Sequence, residues 1–471
     1  MTLAMATVSS TPAWAAVELP DIVGNNMVVQ QNADARLWGW ATPGSKVTVS
    51  SSWAPKKKVT AVTADNGRWD LELPTPSATF TPQTIRITGD GSDITLDNVL
   101  IGEVWFCSGQ SNMDMPLRGF NMQQVDEAPE AIAFSTKYPG IRFAQVARVR
   151  SYTPQERVKS PWMENNPANT AEFSATAYFF ARALTDLIDV PVGIISCAYG
   201  GSKVEGWQSR EQIANYPEFD IDKEAADPDM NEWERINVMY NAMLHPLIGY
   251  TVKGFLWNQG ESNVGRHDTY PQHQLDMITD WREKWRLGDL PFYFVEIPGW
   301  SYGDVNGDSA AKFRECQHYA ATIIPNSGII CTSDLVHPHL PENIHSPIKR
   351  PIGERLAFMA ASKTYGIKGL PVDYPRFKSM TVDGNKASLT FDNMPNGFVP
   401  FTHLEGFEAA GADGVFHPAH AWGNWEKLTV DISCPEIDEI KDVRYNFKNF
   451  AVGKIHNHLG LPIIPFRTDK Y

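Results

Sequence analysis

Between Val99 and about residue 365 the chain alternates two kinds of segment, and this constrains the fold more than any other feature. The runs NVLIGEVWFC, GIRFAQV, VPVGIISC, VKGFLWN, LPFYFVEI and SGIICTS are short, continuous and apolar. A strand buried on both faces reads this way. Between several of them lie segments with apolar residues at helical spacing. In NTAEFSATAYFFARALTDLID, Phe173, Ala177, Phe180, Leu184 and Leu187 form one stripe, and Asn169 with Glu172 resembles a capping box ahead of it. MNEWERINVMYNAML, YPQHQLDMITDWREKW, SAAKFRECQHYAATII and IKRPIGERLAFMAAS are further helix candidates. Strands that alternate with helices are joined by crossovers. The expected fold class is therefore α/β, a mostly parallel sheet with helices on both faces.

The flanks read differently. Residues 17–98 carry short alternating runs such as SKVTVSS and RWDLEL, and Asn66-Gly67 predicts a hairpin. A small N-terminal β-sandwich fits. After the α/β segment (99–365), residues 366–471 are again β-rich, with a hairpin expected around Asp383-Gly384 and strands in EKLTVDIS and KDVRYNF. Residues 1–16 read as the remnant of a secretory signal peptide, with Ala13-Trp14-Ala15 as its small-x-small cleavage site. A secreted or periplasmic location is expected. The net charge of -14 argues against nucleic acid and anionic membrane surfaces, which both require clustered Lys and Arg. No apolar run reaches the roughly 18 residues of a membrane span. The five cysteines are scattered, with no CxxC spacing, which argues against a disulfide framework and a cysteine zinc site.

In an open α/β sheet, ligands bind outside the carboxyl ends of the strands. After VWFC comes Ser108-Gly109-Gln110-Ser111-Asn112. After GIISC comes Ala198-Tyr199-Gly200-Gly201-Ser202. After GFLW comes Asn258-Gln259-Gly260-Glu261-Ser262-Asn263. After GIICTS comes Asp334, and His345 follows ahead of a helix. Taken singly, each has a plain structural reading: a serine turn, a tight glycine turn, a helix-end charge, a surface histidine. Their joint placement at one sheet edge points to acyl transfer. Ser111 would be the nucleophile and His345 its base. The N–H groups of Ser111 and Gly201 and the side-chain amide of Gln259 would hold the oxyanion. Gln110, Asn112, Asn258 and Glu261 are expected to face substrate. His337, His339 and His345 make no convincing ligand set with an open position, so neither metal nor cofactor is expected. Met113 stands where a Gly-x-Ser-x-Gly elbow needs glycine, which disfavours the α/β-hydrolase fold.

GQSNMDMPL, GGSKVEGW, GFLWNQGESN and NIHSPIKRPIGERLA resemble the sequence blocks of SGNH hydrolases of the sialate O-acetylesterase type. LPDIVGNNMVVQQNADARLWGWATPGSKVTV resembles that family's N-terminal β-domain, and GVFHPAHAW, VRYNF and GLPIIPFRTD its C-terminal segment. The resemblance implies a flavodoxin-like sheet and metal-free removal of acetyl groups from glycans or sialic acid. It implies Ser111 as nucleophile, His345 as base, and Gly201 and Gln259 at the oxyanion. The partner it implies is an acetylated carbohydrate. Two departures stand out. Asn343 occupies the place, two residues before the histidine, where relatives often have aspartate. Glu342, Asp334 and a backbone carbonyl are the candidates left to orient His345. The stretch from Gly206 to Tyr250 is also too short for the domain that some relatives insert there. Two other functions compete: an acyl-ester or thioester hydrolase of non-sugar substrates, which would need a long apolar trench, and an inactive glycan-binding protein, which intact Ser111, His345 and Gln259 argue against.

Overall fold

One long strand, β1 (Ser92–Gly109), organises the molecule. Its first part pairs antiparallel with Thr79–Gly89, and Leu100–Gly102 pairs parallel with Val28–Gln30. Its last part is the centre of a parallel sheet. Going outward on one side are β4 (Gly254–Asn258), β5 (Phe292–Val295) and β6 (Ser327–Ile330). On the other are β3 (Val192–Ala198) and β2 (Ile141–Gln145), edged by antiparallel Trp162–Glu164. The expected division at 98/99 falls inside β1. The turn signal lies earlier, at Asp90-Gly91, where φ is positive at both residues, and Val99, Leu100 and Ile101 continue the strand as buried residues. This computed structural model describes residues 16–469; the proposed cleavage site at Ala13-Trp14-Ala15 lies outside the described residues.

Side-chain alternation along β1 assigns the two faces of the sheet. Trp105 and Cys107 pack with Phe179, Phe180, Leu356 and Met359, from α2 (Ala175–Ile188) and α5 (Arg350–Lys363). Val104 and Phe106 pack on the opposite face with Trp281, Trp285 and Phe313, from α3 (Tyr270–Trp285) and α4 (Ser309–Ile323). The short α1 (Ser111–Asp114) follows β1 directly. Among the described residues no helix is long and apolar enough to cross a membrane.

Several local expectations are corrected. The Ser174 hydroxyl caps α2, accepting from Ala177 N–H at 3.2 Å, while Asn166 caps the preceding turn Pro167–Thr170; Asn169 and Glu172 are not a capping box for α2. The segment 230–244 forms only one π turn, Tyr240–Leu244, because Asn237 adopts φ 64° and interrupts the helix. Asn66-Gly67 does make a tight turn, but its strands separate. Lys58–Val62 pairs with Lys46–Ser51, and Arg68–Pro74 pairs with Asp34–Trp40. At the C-terminal end two antiparallel sheets, which include Lys386–Asp392 with Thr429–Ser433 and Phe407–Ala410 with Asp442–Tyr445, enclose Leu389, Val430, Ile432 and Tyr445.

Candidate active site

Gly109 ends β1 with φ 137°, and a Cβ there would lie 2.1 Å from the Asn258 carbonyl oxygen. Glycine is what lets the ends of β1 and β4 approach this closely. Gln110 N–H donates to that same carbonyl at 3.0 Å. Its side-chain oxygen accepts from the N–H groups of Gly260 and Ser262, so Gln110 anchors the loop after β4. The chain then turns into α1 at half-buried Ser111. The Gly200-Gly201 turn passes beside it: a Cβ on Gly200 would lie 3.6 Å from Ser111 Cβ. Gly201 has φ 77°, and a Cβ there would sit 2.5 Å from the Trp233 ring. Among the described residues, the backbone N–H groups of Ser111 and Gly201 have no acceptor inside the protein.

His345 lies on the loop between β6 and α5. Its backbone N–H donates to Asn343 Oδ1 at 3.0 Å, and Phe120 meets its ring edge-on at 5.2 Å between centroids. Its Nδ1 is 2.6 Å from Gln123 Oε1. An amide oxygen only accepts, so Nδ1 carries the proton and Nε2 is left as the basic nitrogen. Burial, assisted by the nearby Lys349 charge, pulls the imidazole pKa down to about 4. A groove of about 750 Å³, lined by Arg118, Phe120, Met122, Gln123, His339 and Glu342, opens alongside.

Neither carboxylate expected to orient His345 reaches it. Asp334 is held by both Arg355 guanidinium nitrogens, at 2.7 and 2.6 Å, and by His456 Nε2 at 3.3 Å. Burial pushes its pKa up, but these partners hold it below the ordinary carboxylate value. Glu342 is exposed and accepts from the Ser301 hydroxyl at 2.8 Å. The side chain that faces Nδ1 belongs to Gln123, 222 residues away in sequence and within no recognisable motif.

The oxyanion role expected of Gln259 also fails. Its side chain is fully buried, and its Nε2 gives its hydrogens to Ser202 O at 3.1 Å and Asn263 Oδ1 at 2.7 Å. The Tyr270 hydroxyl caps its oxygen at 2.9 Å. Gln110, Asn112, Asn258 and Glu261, expected to face substrate, are all buried. Asn112 Nδ2 donates to Glu261 Oε1 at 2.5 Å and to Ile344 O at 3.0 Å, and Asn112 Oδ1 accepts from Lys349 Nζ at 2.5 Å. These polar residues follow strand ends, as the sequence implies, but turn inward, and Gln110, Asn112 and Glu261 tie the loops together.

The three neighbouring histidines diverge. His337 Nε2 meets Asp126 at 2.9 Å, His339 stacks on His337, and His345 faces Gln123. Elsewhere Glu296, His318 and Cys331 present donor atoms within 4.8 Å of one another. That cluster is closed: His318 Nε2 contacts Glu296 Oε2 at 2.5 Å, and burial pushes the Cys331 thiol well above its ordinary pKa.

The sequence matches, over residues 101–362, the family described as carbohydrate esterase, sialic acid-specific acetylesterase. It is 28% identical to the human sialate O-acetylesterase over 402 residues, which cover 78% of this chain and 75% of that one. With the Mus musculus sialate O-acetylesterase it shares 27% over 429 residues, covering 79% and 78%. Among solved structures, a carbohydrate acetylesterase from Xanthomonas citri aligns at TM-score 0.85 and 31% identity, over 97% of this chain and 100% of that chain.

Proposed function

The chain belongs to the carbohydrate esterase family of sialic acid-specific acetylesterases, and we propose that Ser111 and His345 are the pair with which this O-acetylesterase cleaves acetyl esters of carbohydrates. Ser111 Oγ attacks the acetyl carbonyl carbon as its proton passes to His345 Nε2. The developing oxyanion is met by the N–H groups of Ser111 and Gly201. Collapse of the tetrahedral intermediate breaks the bond from carbon to the sugar oxygen, which takes the proton from His345. Water then attacks the acyl-serine by the same route in reverse, releasing acetate and regenerating both side chains.

One observation carries this reading: the contact from His345 Nδ1 to Gln123 Oε1 leaves Nε2 basic in the loop tied to the Ser111 turn. It favours a dyad oriented by an amide over a carboxylate triad. The sheet is read as that of an SGNH hydrolase. Counted along the chain, β1, β3, β4, β5 and β6 lie in the order 2-1-3-4-5, the flavodoxin-like arrangement, with β2 added outside β3. The β-rich regions 17–98 and 366–471 are read as flanks of the esterase unit, and the N-terminal signal-like segment supports export. The groove beside His345 is the place for the sugar that carries the ester, and its mixed aromatic and polar lining suits a carbohydrate better than an acyl chain. Acetate release from a panel of acetylated sialosides and plant glycans, with long-chain esters alongside, tests the reading. Activity confined to long-chain esters would overturn it.

A further inference from the structure

Lys349 and Glu261 are charged side chains that the esterase chemistry leaves unused, and both are buried, at 1% and 6% exposure. Between them lies Asn112, 2% exposed and adjacent in sequence to Ser111. We propose that Lys349, Asn112 and Glu261 form a buried positioning unit that locks the His345 loop against the Ser111 turn and sets an ionisable amine on that loop. The proposal rests on the reading of His345 as the base.

The geometry uses the Asn112 amide completely. Its two N–H groups go to Glu261 Oε1 and to the carbonyl of Ile344, the residue before His345, while its oxygen accepts from Lys349 Nζ. One side chain thus joins the end of β1, the loop after β4 and both sides of the histidine loop. Isolated buried charges are costly and are retained when paired and hydrogen-bonded. Here the pairing is indirect, through an amide, and Glu261 Oε2 has no partner among the described residues. A closed ion pair would be the simpler way to stabilise a core. Relayed through Asn112, the Lys349 amine is instead tied to the loop that carries His345.

The electrostatics agree with the geometry. Burial pulls Lys349 down to about 7, opposed by Glu261, and burial pushes Glu261 up. Lys349 is therefore protonated across the acidic range in which an ordinary imidazole would gain its proton. A like charge nearby opposes that gain. The other charged groups around His345 have partners of their own or lie at the groove rim. Asp126 meets His337, Arg118 meets Glu172, Asp114 meets Arg148, and Arg350 meets Glu127 and Glu354. His339 and Glu342 line the groove, with Glu342 at the surface. Lys349 is the charge that His345 registers.

The test is the pH profile of kcat/KM for the full chain and for Lys349→Met, with Ser111→Ala in parallel and folding followed by thermal melting. Wild-type activity should persist to below about pH 5. Lys349→Met should move the acid limb upward, by less than half of the distance to the ordinary imidazole value because burial remains, and lower kcat, with KM changed less than about twofold. Lys349→Met combined with Glu261→Gln, which removes the stranded carboxylate, should recover part of the lost kcat. Because Lys349→Met can fail to fold, the wild-type His345 imidazole is also titrated by NMR, its signal assigned by its loss in His345→Gln. Titration near the ordinary value of about 6.5, or an unmoved acid limb in folded Lys349→Met, overturns the proposal while inactive Ser111→Ala leaves the parent reading standing. Activity retained in Ser111→Ala overturns the parent reading instead.

Discussion

Two histidines, one beside the groove and one in the C-terminal region, are held by partners of opposite kind. His456 meets a carboxylate, Asp334, which Arg355 grips with two further bonds. His345, in the histidine block beside the groove, meets a neutral amide. The Asp334 cluster is a charge-compensated tie between α5 and the C-terminal region. Among the described residues no carboxylate bonds to the His345 ring, and a buried lysine lies on the same loop. A histidine–carboxylate pair is therefore no marker of catalysis here; Glu296 and His318 make another such pair in the interior. Position relative to the serine turn and the groove separates the two kinds of site.

The largest expected effect comes from removing the nucleophile. Ser111→Ala should lower kcat by roughly 10⁴- to 10⁶-fold in a folded protein. Acetate release that keeps a tenth of wild-type activity would move the chemistry away from the His345 side altogether. Asp334→Asn probes the other side of the comparison. It keeps the shape but leaves the buried Arg355 guanidinium short of its counter-charge. A loss of about 3–5 kcal/mol of stability is expected, seen as an earlier denaturant midpoint, with kcat of the folded fraction within about tenfold of wild type. A stable but inactive Asp334→Asn would return Asp334 to the catalytic set.

Gln123 is where the two histidines can be made alike. Gln123→Leu removes the acceptor of Nδ1–H and should cost about 10- to 100-fold in kcat, since the imidazole loses its fixed tautomer and orientation. Gln123→Glu gives His345 the kind of partner that His456 has. A carboxylate stabilises imidazolium and raises the histidine pKa. The acid limb of kcat/KM should then shift to higher pH, so that activity below about pH 6 falls while activity near pH 8 is kept. Unchanged profiles in both variants would show that Gln123 does not orient the base.

What the sequence made legible follows from the range of the signal. The apolar runs and helical stripes are local, and they return the six parallel strands and helices α2 to α5, although β1 begins well before Asn98 and α2 only at Ala175. The Asn66-Gly67 turn was legible, but the sheet each flanking strand joins was not, because pairing is a long-range choice between competing edges. The same divide runs through the site. Ser111, Gly201 and His345 follow strand ends and could be read from the topology rule. The direction of each neighbouring side chain could not. Gln259 and Glu261 lie in a polar motif that looks as if it faces substrate, yet Tyr270, Asn263 and Asn112 draw them inward. Gln123 carries no motif, and only the folded chain brings it to a histidine 222 residues away.

Glu342 provides the smallest and most discriminating test. It stands three residues before His345 and is one of the carboxylates that the sequence offers for orienting the histidine. In the fold its side chain is exposed and bonded to Ser301, while the Asn343 side chain turns back to the His345 N–H. The charge therefore points along the groove rim rather than at Nδ1. A surface substitution clear of buried partners changes stability by less than about 0.5 kcal/mol, so Glu342→Gln should melt with the wild type. A triad carboxylate changed to its amide would lose on the order of 10⁴-fold in kcat. Here kcat should change less than about threefold, with any larger effect confined to KM, because Glu342 lines the groove assigned to the sugar. Steady-state kinetics on one acetylated glycan decide the matter. A 10³-fold or greater fall in kcat would mean that the loop rearranges to deliver Glu342 to His345 during turnover, and the contrast between the amide-held and carboxylate-held histidines would collapse.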